Sequence, residues 1–145
     1  MTRIVEFDLT TPVGINFQTA RAGLITAMEA CRAAIPGVDF YYAGPIDLDA
    51  ASSPCVFAQA HWDSAKALGL GPAAGQRVFG SFSITVFWVE GSGGASARNV
   101  LSYLNKAFDR KVLGVVQTHA PHPGHYESRH GWESQALLVP FWYDS

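Results

Sequence analysis

Between residues 3 and 9 the chain alternates, with Val5, Phe7 and Leu9 on one side and Glu6 and Asp8 on the other. That two-residue period predicts a half-buried strand. Thr10-Thr11-Pro12 ends it, because proline has no amide hydrogen to give a ladder. The period then lengthens. Asn16 is placed to cap a helix with its side-chain oxygen. Phe17, Ala20, Leu24, Met28, Cys31 and Ile35 follow at steps of three and four, one apolar stripe that predicts a helix over 17–35. Pro36-Gly37 closes it, since neither residue continues a helix comfortably.

Asp39–Tyr42 is a short apolar run, either a strand or an extended connector. Gly44-Pro45 turns the chain, and residues 47–54 read as an exposed loop. Pro54–Trp62 is strand-like but poor in β-branched residues. Ala65–Gln76, with three glycines and a proline, reads as a long loop. Arg77–Glu90 is the clearest strand: Phe82, Ile84, Val86 and Trp88 face one way, Ser81, Ser83 and Thr85 the other, and Phe87 breaks the alternation. After Gly91-Ser92-Gly93-Gly94 the period returns to that of a helix, over 96–112, with Ala97, Val100, Leu101, Leu104, Ala107 and Phe108 in one stripe. Gly114–His119 reads as a strand and Ala120–His130, with two prolines and a glycine, as a loop or hairpin tip. Gly131–Asp144 reads as the last strand, apolar on both faces, with Pro140 marking a sheet edge.

These elements predict an α+β fold in a single domain over 1–145, with 1–12 as a possible N-terminal strand or arm. The expected architecture is a small, mostly antiparallel four-stranded sheet with two helices packed on one face through Leu24, Met28, Val100, Leu104 and Phe108. A chain of 145 residues can bury the core this requires.

Composition adds one point. Apolar residues make up 48% and charged residues 15%, against about 25% charged in an average soluble protein. Uncharged surface on this scale fits contact with other subunits. A net charge of −2 excludes a general polyanion binder, which carries a basic stripe, so no specific nucleic-acid recognition is expected. There is no basic-then-apolar leader and no apolar run of membrane-spanning length. A chain folding in a cytosol, with no membrane partner, is the expectation. Cys31, on the buried helix stripe, and Cys55, opening a strand, read as two small buried thiols rather than a disulfide.

Four histidines lie close together at His119, His122, His125 and His130, with Glu127 among them. Imidazoles are common zinc and copper ligands, but Pro121, Pro123 and Gly124 between them fit no zinc motif, and a solvated polar loop is the simpler account. Asp47, Asp49 and Asp63 are loop aspartates of a kind that turns use anyway. Ser81 lacks a nucleophile elbow around it. Gly91-Ser92-Gly93-Gly94 precedes a helix, where anions can bind, but lacks the lysine and the spacing of a nucleotide loop. Trp88, Trp132, Phe141, Trp142 and Tyr143 lack the basic stripe of a base-stacking surface and read as core or interface. No catalytic, cofactor-binding or metal-binding residue is therefore assigned, no cofactor is expected, and the chain is not expected to be an enzyme.

In order and spacing the segments resemble the tail terminator proteins of long-tailed phages and related prophage or gene-transfer particles. The resemblance rests on Ala34-Ile35-Pro36-Gly37 closing the first helix, Phe40-Tyr41-Tyr42-Ala43-Gly44-Pro45, and Pro54-Cys55-Val56-Phe57. It continues through Arg77–Val86, the helix Ala97–Phe108, and the ending Gly131-Trp132 followed by Val139-Pro140-Phe141-Trp142-Tyr143-Asp144. It implies a homo-oligomeric ring, a hexamer in that family, that caps the head-proximal end of the tail tube, stops its polymerisation and offers a surface for head joining. The implied partners are further copies of the chain, the tail tube protein and the head–tail connector. The implied place is the virion tail, assembled in the host bacterial cytoplasm. Ala65–Gln76 and Ala120–His130 are the loops expected to make contacts. The alternatives are another head–tail joining or tail completion protein, and a His-rich metal-dependent enzyme or small-ligand binding domain.

Overall fold

The computed structural model describes residues 17–71 and 74–145; the strand expected over 3–9 and the Asn16 cap lie outside them. In chain order the elements are α1 (Phe17–Ala34), β1 (Asp39–Tyr41), β2 (Cys55–Ala67), β3 (Gln76–Val89), α2 (Ala95–Phe108), β4 (Val112–Leu113), β5 (Val116–Thr118), β6 (His122–Arg129) and β7 (Trp132–Asp144). The expected four-stranded antiparallel sheet is corrected. Among the described residues the molecule is mostly β, with one seven-stranded sheet in the order β1-β2-β3-β7-β5-β4 and with β6 also paired to β7. The sheet is mixed, because β1 runs parallel to β2 while the other pairings are antiparallel.

The centre is a ladder between β3 and β7 that runs from Arg77 opposite Asp144 to Val89 opposite Trp132. At its far end Arg77 donates two hydrogen bonds to the Asp144 carboxylate, at 2.8 and 3.1 Å, and its guanidinium lies 3.9 Å over the Trp142 ring. One sheet face carries Val56, Phe82, Ile84, Val86, Leu137, Val139, Phe141 and Tyr143 into the core. There they meet Ala20, Leu24, Met28 and Cys31 of α1 and Ala97, Val100, Leu104 and Phe108 of α2. Those helix positions recur every three or four residues, which is why each helix buries a single stripe. Phe82 meets Phe108 at 5.7 Å between ring centroids.

Three expectations from local sequence fail where tertiary pairing overrides propensity. The segment 65–76 is not one long loop: Ala65, Lys66 and Ala67 pair with Val78, Arg77 and Gln76, extending the β2–β3 hairpin. Ala120–His130 is not a loop either. Its larger part is β6, paired to β7 from His122–Leu138 to Arg129–Trp132, with an irregularity between Pro123 and Tyr126 that absorbs the Pro-Gly pair. Pro140 does not mark a sheet edge, for β7 has β3 on one flank and β5 and β6 on the other. Its carbonyl accepts from the His119 amide at 2.8 Å. The amide hydrogen that it lacks falls where the neighbouring strand is itself interrupted, between Thr118 and His122.

Gly80 explains how the middle of the sheet packs so closely. A Cβ there would lie 2.6 Å from Phe141 Cζ and would also meet the His61 carbonyl. Phe141 uses that gap to reach Trp62, edge to face at 5.5 Å. Thr118 ties the end of α2 to β5. Its hydroxyl donates to the Phe108 carbonyl at 2.7 Å and accepts from the Lys111 amide at 2.7 Å.

Candidate assembly surfaces

The histidines do not converge. His119 lies between β5 and β6, His122 and His125 lie along β6, and His130 sits in the turn to β7; all four are exposed. Among the described residues no three His, Cys, Asp or Glu side chains form a group that could hold a metal ion. Asp47 instead accepts from the Asp49 amide at 3.1 Å, a local turn bond, and Asp63 is exposed in β2. Cys31 and Cys55 are buried, free thiols. Burial pushes the Cys31 thiol up and, with help from nearby Asp39, the Cys55 thiol up to about 11. Both stay protonated and unreactive at neutral pH.

Gly91-Ser92-Gly93-Gly94 is a tight strand-to-helix turn with positive φ at each of its glycines. A Cβ on Gly94 would lie 3.1 Å from Trp88 Nε1, so the tryptophan fills the space before α2. Trp88 donates to Glu133 at 2.8 Å and Tyr126 donates to the same carboxylate at 2.6 Å. This bridge ties β6 and β7 to β3, and its hydrogen bond to Glu133 is the main reason the Tyr126 phenol is raised. Of the aromatic group, Trp88, Phe141 and Tyr143 belong to the buried face, whereas Trp132 and Trp142 are half-buried on the opposite one.

That opposite face is the notable surface. Registers and alternation place Phe57, Gln59 and His61 of β2 on it, beside Phe79, Ser81, Ser83, Thr85 and Phe87 of β3. Ser134, Ala136, Leu138, Pro140 and Trp142 of β7 complete it. No lysine, arginine, aspartate or glutamate stands among these positions. Charge appears at the margins: the Arg77–Asp144 pair at one end, and Glu127 and Arg129 on β6. Leu48 reaches over one corner, where it lines a hollow of about 170 Å³ with Phe87, Trp132 and Ser134. Neither helix covers this face, since both pack on the other.

A second surface projects. The β2–β3 hairpin leaves the core beyond Trp62; Asp63–Ala67 are exposed, and Leu70 at its tip is 102% exposed. Val112, on β4, is 72% exposed. No helix among the described residues is long and apolar enough to cross a membrane.

No family model matches this chain. No curated protein matches it either. Solved structures do share its fold. One, a protein whose name is only a sequence label, superposes with a TM-score of 0.59 at 15% identity, over 90% of this chain and 95% of that one. Another is a chain of the virion of a native gene transfer agent particle: TM-score 0.53, 14% identity, 90% of this chain and 100% of that one. At such identities the likeness establishes the fold.

The absence of charge at alternating positions, rather than any motif, was the signal available in the sequence for the open face. Ser81, Ser83 and Thr85 alternate with the core positions, and their neighbours in space carry no charge either. What the sequence does not display is which strands lie side by side, and so how far that uncharged band extends.

Proposed function

We propose that this chain is a structural protein of a phage-like particle, and more specifically a tail terminator. In this reading it forms a closed ring on the head-proximal end of the tail tube, stops further tube subunits from adding, and offers its outer side to the head connector. The observation that carries the reading is the fold shared with a gene transfer agent virion chain over the whole of that chain. The uncharged open sheet face supports it, because a sheet face kept free of charge can be buried against protein without stranding ions. The mechanism is geometric: a ring closed by repeated contacts leaves no growing end. No catalysis, metal or cofactor enters it.

The test is assembly. Purified protein is added to polymerising tail tubes from the same particle, and the tubes are imaged. The reading expects tubes of limited length with added density at one end. Tubes of unregulated length, bare at both ends, contradict it.

A further inference from the structure

The two ends of β2 carry surfaces that match each other. Just beyond its last residue, Leu68 and Leu70 stand exposed on the hairpin to β3. The hairpin is firm up to that point: Ala67 pairs with Gln76, and the Leu68 amide donates to the Gly75 carbonyl. Just before the first residue of β2, Pro54 forms part of a cleft of about 470 Å³. The end of α1, the connection to β1 and the first turns of α2 form the other walls, through Ile35, Val38, Asn99, Val100 and Tyr103. No lysine, arginine, aspartate or glutamate lines the cleft. Tyr103 is itself exposed there.

One subunit cannot join these two surfaces. The 13 residues of β2 lie between them, about 40 Å of strand, and the ladder to β3 holds that strand extended apart from a bulge at Asp63. A projecting apolar tip at one end and an uncharged cleft at the other are the two halves of a head-to-tail contact. Repeated between copies, such a contact makes a ring when its rotation closes. The charges beside the two surfaces agree with this pairing. Lys66, next to the tip, stands opposite Arg77, whose charge is already met by Asp144. Asp39 follows Val38 at the margin of the cleft. Among the described residues neither Lys66 nor Asp39 has an ion-pair partner in its own chain.

We propose that the cleft between α1 and α2 receives Leu68 and Leu70 from the β2–β3 hairpin of a second copy of this chain, with Lys66 of one copy facing Asp39 of the other. The proposal rests on the ring reading and deepens it by naming the contact that closes the ring; the uncharged sheet face is left for other protein. It is tested on the full chain alone, without tubes, so a failure of this contact and a failure to cap tubes are separate results. Sedimentation over a concentration series should show the unmodified protein self-associating. Leu70→Asp should associate at least tenfold more weakly, with an unchanged unfolding midpoint because the residue is exposed. Cysteine pairs then report where the tip lies, the native Cys31 and Cys55 being buried. Leu70→Cys protein mixed with Tyr103→Cys protein and mildly oxidised should give a mixed disulfide dimer. Leu70→Cys mixed with Val112→Cys, an exposed site on β4 outside the cleft, should give at least fivefold less. A chain that stays monomeric at the highest concentration reached overturns the proposal, as does a Leu70→Asp variant that associates as tightly as the unmodified protein. Leu70→Cys linking to itself in preference to Tyr103→Cys overturns it too, since the tips then meet each other and not the cleft.

Discussion

The two faces of β3 differ in what they are asked to hold. Phe82, Ile84, Val86 and Trp88 sit under the helices, while Ser81, Ser83, Thr85 and Phe87 alternate with them on the open side and remain half-buried. The first face supplies the burial that stabilises the subunit, at about 1.5–3 kcal/mol for each large apolar side chain removed from water. The second adds little to that sum, yet from Phe79 to Phe87 and across the residues opposite them on β2 and β7 it carries no lysine, arginine, aspartate or glutamate. A solvated face has no need of such exclusion, whereas a face that will be covered does. On the proposed reading, stability and assembly occupy opposite sides of one sheet, and substitutions should separate them.

The largest effect is expected on the covered face. Phe82→Ala removes a fully buried ring that packs on Phe108 and should cost about 3–5 kcal/mol, read by urea unfolding. Leu104→Ala, also fully buried, should cost about 2–5 kcal/mol in the same assay. Gly80→Ala forces Phe141 away from Trp62 and should cost about 1–3 kcal/mol as an overpacked site. An unchanged unfolding midpoint would show that the sheet can relax at that point. Thr118→Val keeps the side-chain shape but strands the Phe108 carbonyl and the Lys111 amide, for about 1–3 kcal/mol.

A smaller effect follows acid. Arg77 holds the Asp144 carboxyl below its ordinary value, chiefly through their hydrogen bonds. A carboxylate with a depressed folded pKa contributes stability above its unfolded pKa, and loses that contribution as pH falls through the folded value. Asp144→Asn should therefore flatten the pH dependence of stability only on the acid side of the ordinary carboxylate range. The effect should be slight, because the pair is open to solvent. The smallest effect on stability is expected on the open face. Ser83→Lys, at its centre between Gln59 and Leu138, should change the unfolding free energy by no more than about 0.5 kcal/mol. The same variant should abolish tube capping. If it instead unfolds the subunit and leaves capping per folded molecule intact, the division between the faces is wrong.

Part of this division is visible in the sequence. The alternation at Ser81–Trp88 marks both faces of β3, and the helical stripes at Leu24–Met28 and Val100–Phe108 mark what covers one of them. The sheet's width is not visible. His122–Arg129 contains a proline and a glycine, and nearly all of it is exposed, so it has no apolar period of its own; it is a strand because β7 has an open flank to pair with. The second half of β2 is likewise a strand through β3 and not through its own residues. Pro140 misled for the same kind of reason. A missing amide hydrogen signals a break in pairing, and here the break lies inside the sheet, between β5 and β6. As for the open face, its chemistry was legible as a low charge content, but its location required the register.

The most direct measurement of the central claim is a structure of the chain in place in its own particle, by electron cryomicroscopy. The account predicts a ring of this chain at the head-proximal end of the tail tube, with Phe57, Phe79, Ser83 and Trp142 buried against protein. A particle in which the chain lies elsewhere, or in which that face looks onto solvent in every copy, would contradict it.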